Sequence, residues 1–355
     1  MFEGTKSILE AYLEERPKTV SPPKFIQVAI LRQTHDFTVL RTEASRELNT
    51  VLTPRTITDH EPMLRVAFFG SKQKAVETRA FAGAFKELKS SLDFDDSDLS
   101  GLLKKEDLLK EYGKDLKTSD VNKKIESCAL KDSLCLMCPR CILFGGITVE
   151  KGERAASLKH RISYSTSYSL ESYEEIATAI TFNAVYEEAE TTGQALGTVY
   201  SVDPVTNFPS ISTLRAPTVE ELMMYLKILD TTTEYGAETR VRGRIRNHVI
   251  GMAVGMQELI TPLELTLELA DKRDKLENSP ESIVSTTKEI LEKYKGYASF
   301  GSTAKVLTAD ELTTILKEAR ETTLTKDFIS KLLMDSIGFF LEAKKALTKI
   351  GRAKE

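Results

Sequence analysis

The sequence predicts an α+β fold, a ferredoxin-like core of the RNA-recognition type enlarged by insertions. Three observations carry that reading. Runs of strand length rich in β-branched and aromatic residues recur at 25–31 (FIQVAIL), 63–69 (MLRVAFF) and 177–186 (ATAITFNAVY). A helix is announced by PTVEELMMYLKILD, with Pro217 ahead of a Thr218 cap, acids in the first turn, and Leu222, Tyr225, Leu226 and Leu229 along one face. An alternating strand, RVRGRIRNHVI, follows it. Residues 177–254 thus run strand, hairpin, helix, strand, and the earlier segment supplies further strands.

Taken in order, 6–15 reads as a short amphipathic helix stopped by Pro17, and 37–41 (FTVLR) as the continuation or hairpin partner of the first strand. From 93 to 125 the composition turns to acids, lysines and leucines at helical spacing, which predicts an inserted helical subdomain. CILFGGITV then returns to a strand through Gly145 and Gly146. The turn residues and short alternations between 187 and 212 suit a protruding hairpin arm. Leu263, Leu265, Leu267 and Leu269 alternate and predict one more strand closing the core. Ser279-Pro280 opens a helix, and 310–319 and 326–349 are helical. The chain divides into an N-terminal helix (1–20), a first core part (21–92), a helical and zinc-binding insertion (93–148), a second core part with its arm (149–270) and a helical C-terminal part (271–355).

Composition bounds the function. With 49 basic and 53 acidic side chains in 355 residues, the formal charge is −4, so a polyanion would have to be met by a local patch. No apolar run reaches the length of a membrane span, and the acidic start is unlike a signal peptide, so a cytoplasmic protein is expected.

That local patch is legible. Arg240, Arg242, Arg244 and Arg246 alternate with Val241, Gly243 and Ile245, which on a strand puts four guanidinium groups on one face about 6.6 Å apart. Guanidinium forks match phosphate oxygens in two-point geometry, so the pattern reads as a phosphate track. Gly243 in its middle marks a bulge or a close approach of another backbone. Lys159, His160 and Arg161 form a second basic group ahead of Tyr164 and Tyr168, a mixture suited to single-stranded nucleic acid. Lys72, Lys74 and Arg79 make a third, weaker one. A solvated strand face is the bland alternative for the arginines, and a surface loop for the second group.

The four cysteines, Cys128, Cys135, Cys138 and Cys141, fall within a C-x6-C-x2-C-x2-C stretch. In a reducing compartment four soft ligands point to structural zinc rather than disulfides. Two CxxC units sharing Cys138 differ from two separate zinc knuckles, and an iron–sulfur cluster or partly liganding cysteines remain alternatives, with His160 as the nearest histidine.

At this point the residues reach a known family. The stretch from TFNAVYEEAE to RGRIRN resembles the backbone subunit of CRISPR-associated effector complexes, in the RAMP superfamily, and CLMCPRCILFG is similar to its type I-D version. The resemblance covers roughly 24–269. It implies a core whose copies line up along one guide RNA and present it for pairing with target DNA, with other effector subunits as partners. It places the RNA-binding face at the four arginines and the Lys159–Arg161 group, the metal at the cysteines, and implies no enzyme. Subunits of related CRISPR types cleave RNA with an acid in a loop after the first strand, where Asp36 stands here; a nuclease is therefore one alternative. A zinc-stapled assembly module with an acidic protein partner is another.

Overall fold

The computed structural model describes residues 1–41, 47–105, 118–129, 134–148, 156–182, 185–186, 191–192, 197–237, 243–276 and 279–349. At its centre β1 (Phe25–Thr34) is buried at nine of ten positions, as a strand must be when helices cover both faces of its sheet. It pairs antiparallel with β3 (Asn207–Arg215) on one side and β4 (Ile245–Gly255) on the other. Outside these lie β2 (Ile162–Tyr164) and β5 (Lys305–Leu307), giving the order β5-β4-β1-β3-β2. The β1/β4 register slips between Ala29 opposite Gly251 and Ile30 opposite Val249, leaving Ile250 as a bulge.

One face carries α1 (Gly70–Ser91), α3 (Val219–Thr231) and α7 (Lys326–Lys349). There Ile26, Val28 and Ile30 pack with Phe81, Phe85, Leu222, Met223, Leu226 and Leu333. The other face is covered by α4 (Pro262–Asp271) and α5 (Pro280–Glu292), through Leu265, Leu269, Ile283, Ile290 and Leu291 against Ala29, Leu31, Ile211 and Ala253. The helices Asp96–Lys105 and Thr118–Glu126 put Leu99, Leu103, Val121 and Ile125 into the first of these clusters. A smaller sheet of Thr50–Pro54, Pro62–Phe68 and Ser167–Tyr168 flanks a third cluster around Phe68, Phe208 and Tyr235.

Several expectations hold in detail. Thr218 caps α3 with a full capping box to Glu221, and the four apolar residues read for its inner face are buried. Ala177–Phe182 pairs with Gly197–Val202 as a hairpin; 187–190 and 193–196, part of the expected arm, lie outside the described residues. Others are corrected. The leucines at 263–269 are not a strand but α4: Thr261 and Glu264 form a capping box with Pro262 at the first helical position, and that start signal outweighs the alternation. Residues 37–41 add no strand beyond one bridge from Thr38 to Val202. The first helix is Glu3–Leu9, its start fixed by Glu318, whose carboxylate accepts from the amides of Gly4 and Thr5 at 2.9 Å each. The C-terminal part, read as wholly helical, also contributes β5, a three-residue strand too short for its pattern to be visible.

On α7, Asp335 accepts from Lys331 Nζ at 2.7 Å, but burial outweighs that contact and pushes its carboxyl up to about 7. An acid whose folded value is raised stabilises fully below its unfolded value, and that contribution is lost as pH rises from about 4 to about 7. The Asp335→Asn variant should melt a few degrees above the parent at pH 8, with the gap closing near pH 4. An equal gap at both pH values would exclude the carboxylate charge as its cause.

Candidate nucleic-acid interface and metal centre

The arginine stretch begins with a turn-back rather than a single long strand. Ile245 N donates to Thr233 O at 2.7 Å and Tyr235 N to Gly243 O at 3.2 Å, and Glu234 bridges Arg244, so 233–235 pairs with 243–245. Gly243 has φ 60°, and a Cβ there would lie 2.6 Å from Gly236 Cα: the close backbone approach expected of this glycine. Arg240 and Arg242 lie outside the described residues. Arg244 and Arg246 are exposed, while the intervening Ile245 is buried. Sequence reasoning missed two histidines beside them. His35 is held below its ordinary range by burial and then by Arg246; His248 is lowered by burial, His35 and Arg246.

A second basic group forms across elements. Lys72 and Lys74 stand in the first turns of α1, and Lys159 and His160 precede β2. The His160 imidazole is lowered by burial, then by Lys74 and Lys159; Lys72 is lowered by burial, then by Arg41. The fold therefore brings Lys74, Lys159 and His160 within reach of one another's charge, and Lys72 within reach of that of Arg41, a residue the sequence gave no reason to select. Residues 35–41 join this group to the arginines. Arg79 is exposed farther along α1. Among the described residues, Lys72, Lys74, Lys159, Arg244 and Arg246 have no carboxylate in ion-pair contact.

Two expected contributors are internal instead. Arg161 is 4% exposed; its guanidinium pairs with Glu221, donates to Ala216 O at 3.1 Å and lies over the Phe339 ring. It ties β2 to the start of α3 and is withdrawn from the RNA-facing set. Tyr164 donates to Glu77 Oε2 at 2.7 Å and stacks on Phe144, so it is no free platform for a base. Asp36 accepts from Phe37 N at 2.8 Å, as a turn residue does.

The cysteines converge. Their four sulfur atoms lie within 4.8 Å of one another, with Cys128 to Cys141 at 3.5 Å and Cys128 to Cys138 at 3.8 Å. Tetrahedral zinc with bonds of about 2.3 Å sets sulfur–sulfur distances near 3.8 Å, so the group fits. The short helix α2 (Pro139–Phe144) begins after Cys138 and carries Cys141, while Cys138 N donates to Cys135 Sγ at 3.2 Å and Cys135 N to Cys128 Sγ at 3.4 Å. Arg140 supplies an independent test. It is 3% exposed, donates to Cys128 Sγ at 3.0 Å, and its other terminal nitrogen has no partner among the described residues. A buried guanidinium requires an anion, and a four-thiolate metal centre carries two net negative charges. Hydrogen bonding with Cys135 and its neighbours draws Cys128 well below the ordinary thiol range, so the sulfur that Arg140 meets is a thiolate, the form in which cysteine ligates a metal. His160 is not part of this group.

A protein-family model described as Csc2 Crispr matches residues 11–333, which span most of the chain. The chain belongs to the Csc2 CRISPR family. Among solved structures it is similar to the crystal structure of Thermofilum pendens Csc2, with 21% identity, a TM-score of 0.64 and 96% of each chain covered, a likeness of fold. It is also similar to a chain of a CRISPR RNA-guided surveillance complex, pre-nicking, at 11% identity and a TM-score of 0.43 over 85% of this chain and 94% of that one; this likeness is too loose to carry an argument. No curated protein matches. Among the described residues no helix is long and apolar enough to cross a membrane.

Two outcomes follow for this Csc2-family chain. Arg161→Ala leaves Glu221 buried without its partner, a loss of about 3–5 kcal/mol, so the melting temperature should drop sharply. An unchanged melting temperature would return Arg161 to the solvent-facing cations. Elemental analysis should find close to one zinc per chain. Since Cys128, Cys138 and Cys141 share an apolar cluster with Phe81 and Phe144, Cys138→Ser should lower the single global unfolding transition rather than melt a separate unit.

Proposed function

We propose that this chain is the guide-RNA-binding backbone subunit of a type I-D CRISPR interference complex. It grips single-stranded RNA mainly through phosphates, multimerises along the guide, and presents it for pairing with target DNA beside the other effector subunits, in the cytoplasm. The observation that carries the reading is the pair of cation groups, Arg244 and Arg246 with His35, and Lys72, Lys74 and Lys159 with His160. Each lacks ion-paired acids among the described residues, and its histidine is lowered by burial and then by the neighbouring cations, a like-charge crowding that a phosphate chain relieves.

The topology supports the same reading. The succession β1-α1-β2 interleaved with β3-α3-β4, in the order β4-β1-β3-β2, has the form of two split β-α-β units, the ferredoxin-like arrangement. Helices α4 and α5 occupy the face on which RNA-recognition sheets stack bases, so the binding falls to the sheet's rim and to phosphates rather than bases. The cysteine centre is a structural zinc site in this reading.

Anisotropy titrations with a guide-length single strand should give an affinity that falls with salt at a log–log slope of about −0.7 per phosphate neutralised. Replacing Arg244 and Arg246 together by alanine should weaken all sequences alike and flatten that slope by roughly 1–2. Salt-independent binding would sink the reading.

A further inference from the structure

We propose that Tyr235, held by the buried Arg32–Glu77 ion pair, is a positioning residue that fixes the arginine hairpin for RNA; this rests on the reading above. The hairpin carrying Arg244 and Arg246 has one inward anchor on each strand. On the first strand Tyr235 is 1% exposed, its ring edge-on to Phe68 at 5.6 Å. On the second, Asn247 sits between Arg246 and His248 and turns inward, donating to Leu229 O at 2.9 Å and Thr232 O at 3.0 Å. The anchors meet, with Asn247 Nδ2 donating to Tyr235 Oη at 2.9 Å. Arg32 Nη1 reaches both, at 3.0 Å to Tyr235 Oη and 2.7 Å to Asn247 Oδ1.

Tyr235 in turn donates to Glu77 Oε1 at 2.9 Å, and that carboxylate pairs with Arg32 Nη2 at 2.7 Å, both side chains fully buried. Glu77 lies on the inner side of α1, the helix whose first turns carry Lys72 and Lys74. One carboxylate is thereby bonded to the base of the hairpin and belongs to the helix of the second cation group. Rotation or slippage of the hairpin would break the Tyr235 and Asn247 contacts together. The network therefore sets the distance between the two cation groups, which must match the spacing of phosphates on one strand. An anchor of this kind acts on RNA only through the arginines, and that separates it from a residue that merely stabilises the fold.

The test is a double-mutant cycle on the full chain, with a guide-length oligouridylate as probe. Tyr235→Phe keeps the ring and removes the hydroxyl. It should leave circular dichroism and zinc content at parent values, weaken binding about three- to tenfold, in the lower part of the span for side chains coupled in one network, and flatten the salt slope. In the Arg244→Ala/Arg246→Ala background the same change should have no further effect. An unchanged affinity, or an equal loss in both backgrounds, overturns the assignment. If Tyr235→Phe does not fold, Asn247→Ala replaces it in the same cycle and is read by the same criteria. A parent protein with no salt-dependent affinity fails the RNA-binding reading itself, whereas a parent that binds with additive variants fails only this inference.

Discussion

The fully buried ion pair between Arg32 and Glu77 is the constraint around which the molecule is arranged. Taking both charges out of water costs several kcal/mol each, and attraction in the interior repays this only when the remaining donors and acceptors are also met. Here Tyr164 and Tyr235 donate to the carboxylate, Asn247 and Tyr235 accept from Arg32 Nη1, and the rings of Phe68 and Tyr235 lie against the guanidinium at 6.0 and 5.3 Å, while Arg32 Nε has no hydrogen-bond partner among the described residues. The groups come from β1, α1, β2, β4, the strand Pro62–Phe68 and the 233–235 segment. Such a pair tolerates little movement, so it fixes the mutual position of the elements that carry the basic groups.

The same electrostatic logic sorts the arginines. Arg32 has a carboxylate, Arg140 the thiolates, and Arg161 has Glu221. Arg65, also fully buried, is met by the carbonyls of Ser169, Leu170 and Arg55 and by Thr53, and with no carboxylate in contact burial brings it down to about 10. Each buried cation is thus accounted for by an internal acceptor. Among the described residues the exposed Arg244 and Arg246 on the hairpin and the half-buried Lys72 and Lys74 at the start of α1 have no such carboxylate, and this contrast is what the proposed polyanion surface rests on in a chain whose net charge is −4.

Legibility followed the distance over which each feature is decided. Helix starts at Thr218 and Ser279 and the cysteine cluster were readable, because caps and CxxC turns are settled within a few residues. The leucines at 263–269 alternate as a strand does, but the Thr261–Glu264 box just ahead of them starts a helix. Arg161 and Tyr164 misled for a different reason: their partners Glu221 and Glu77 are 60 and 87 positions away, and a cation beside an aromatic looks the same in sequence whether it faces solvent or a buried acid. His35 and Arg41 were missed because the fold brings them to Arg246 and Lys72, and nothing local marks them.

These long-range contacts also connect the two sites. Helix α2, which carries Cys141, ends in Phe144, whose ring stacks on Tyr164 and meets Phe81 of α1 edge-on at 5.4 Å. Tyr164 donates to Glu77, and Glu77 accepts from Tyr235 at the base of the arginine hairpin. A metal that holds α2 in place therefore also holds the ring against which Tyr164 is set, and so the direction from which Glu77 receives one of its hydrogen bonds. Binding energy of a metal at the cysteines would be folding energy, and through this run of packed and bonded groups it would act on the geometry of the basic surface without any cysteine reaching that surface.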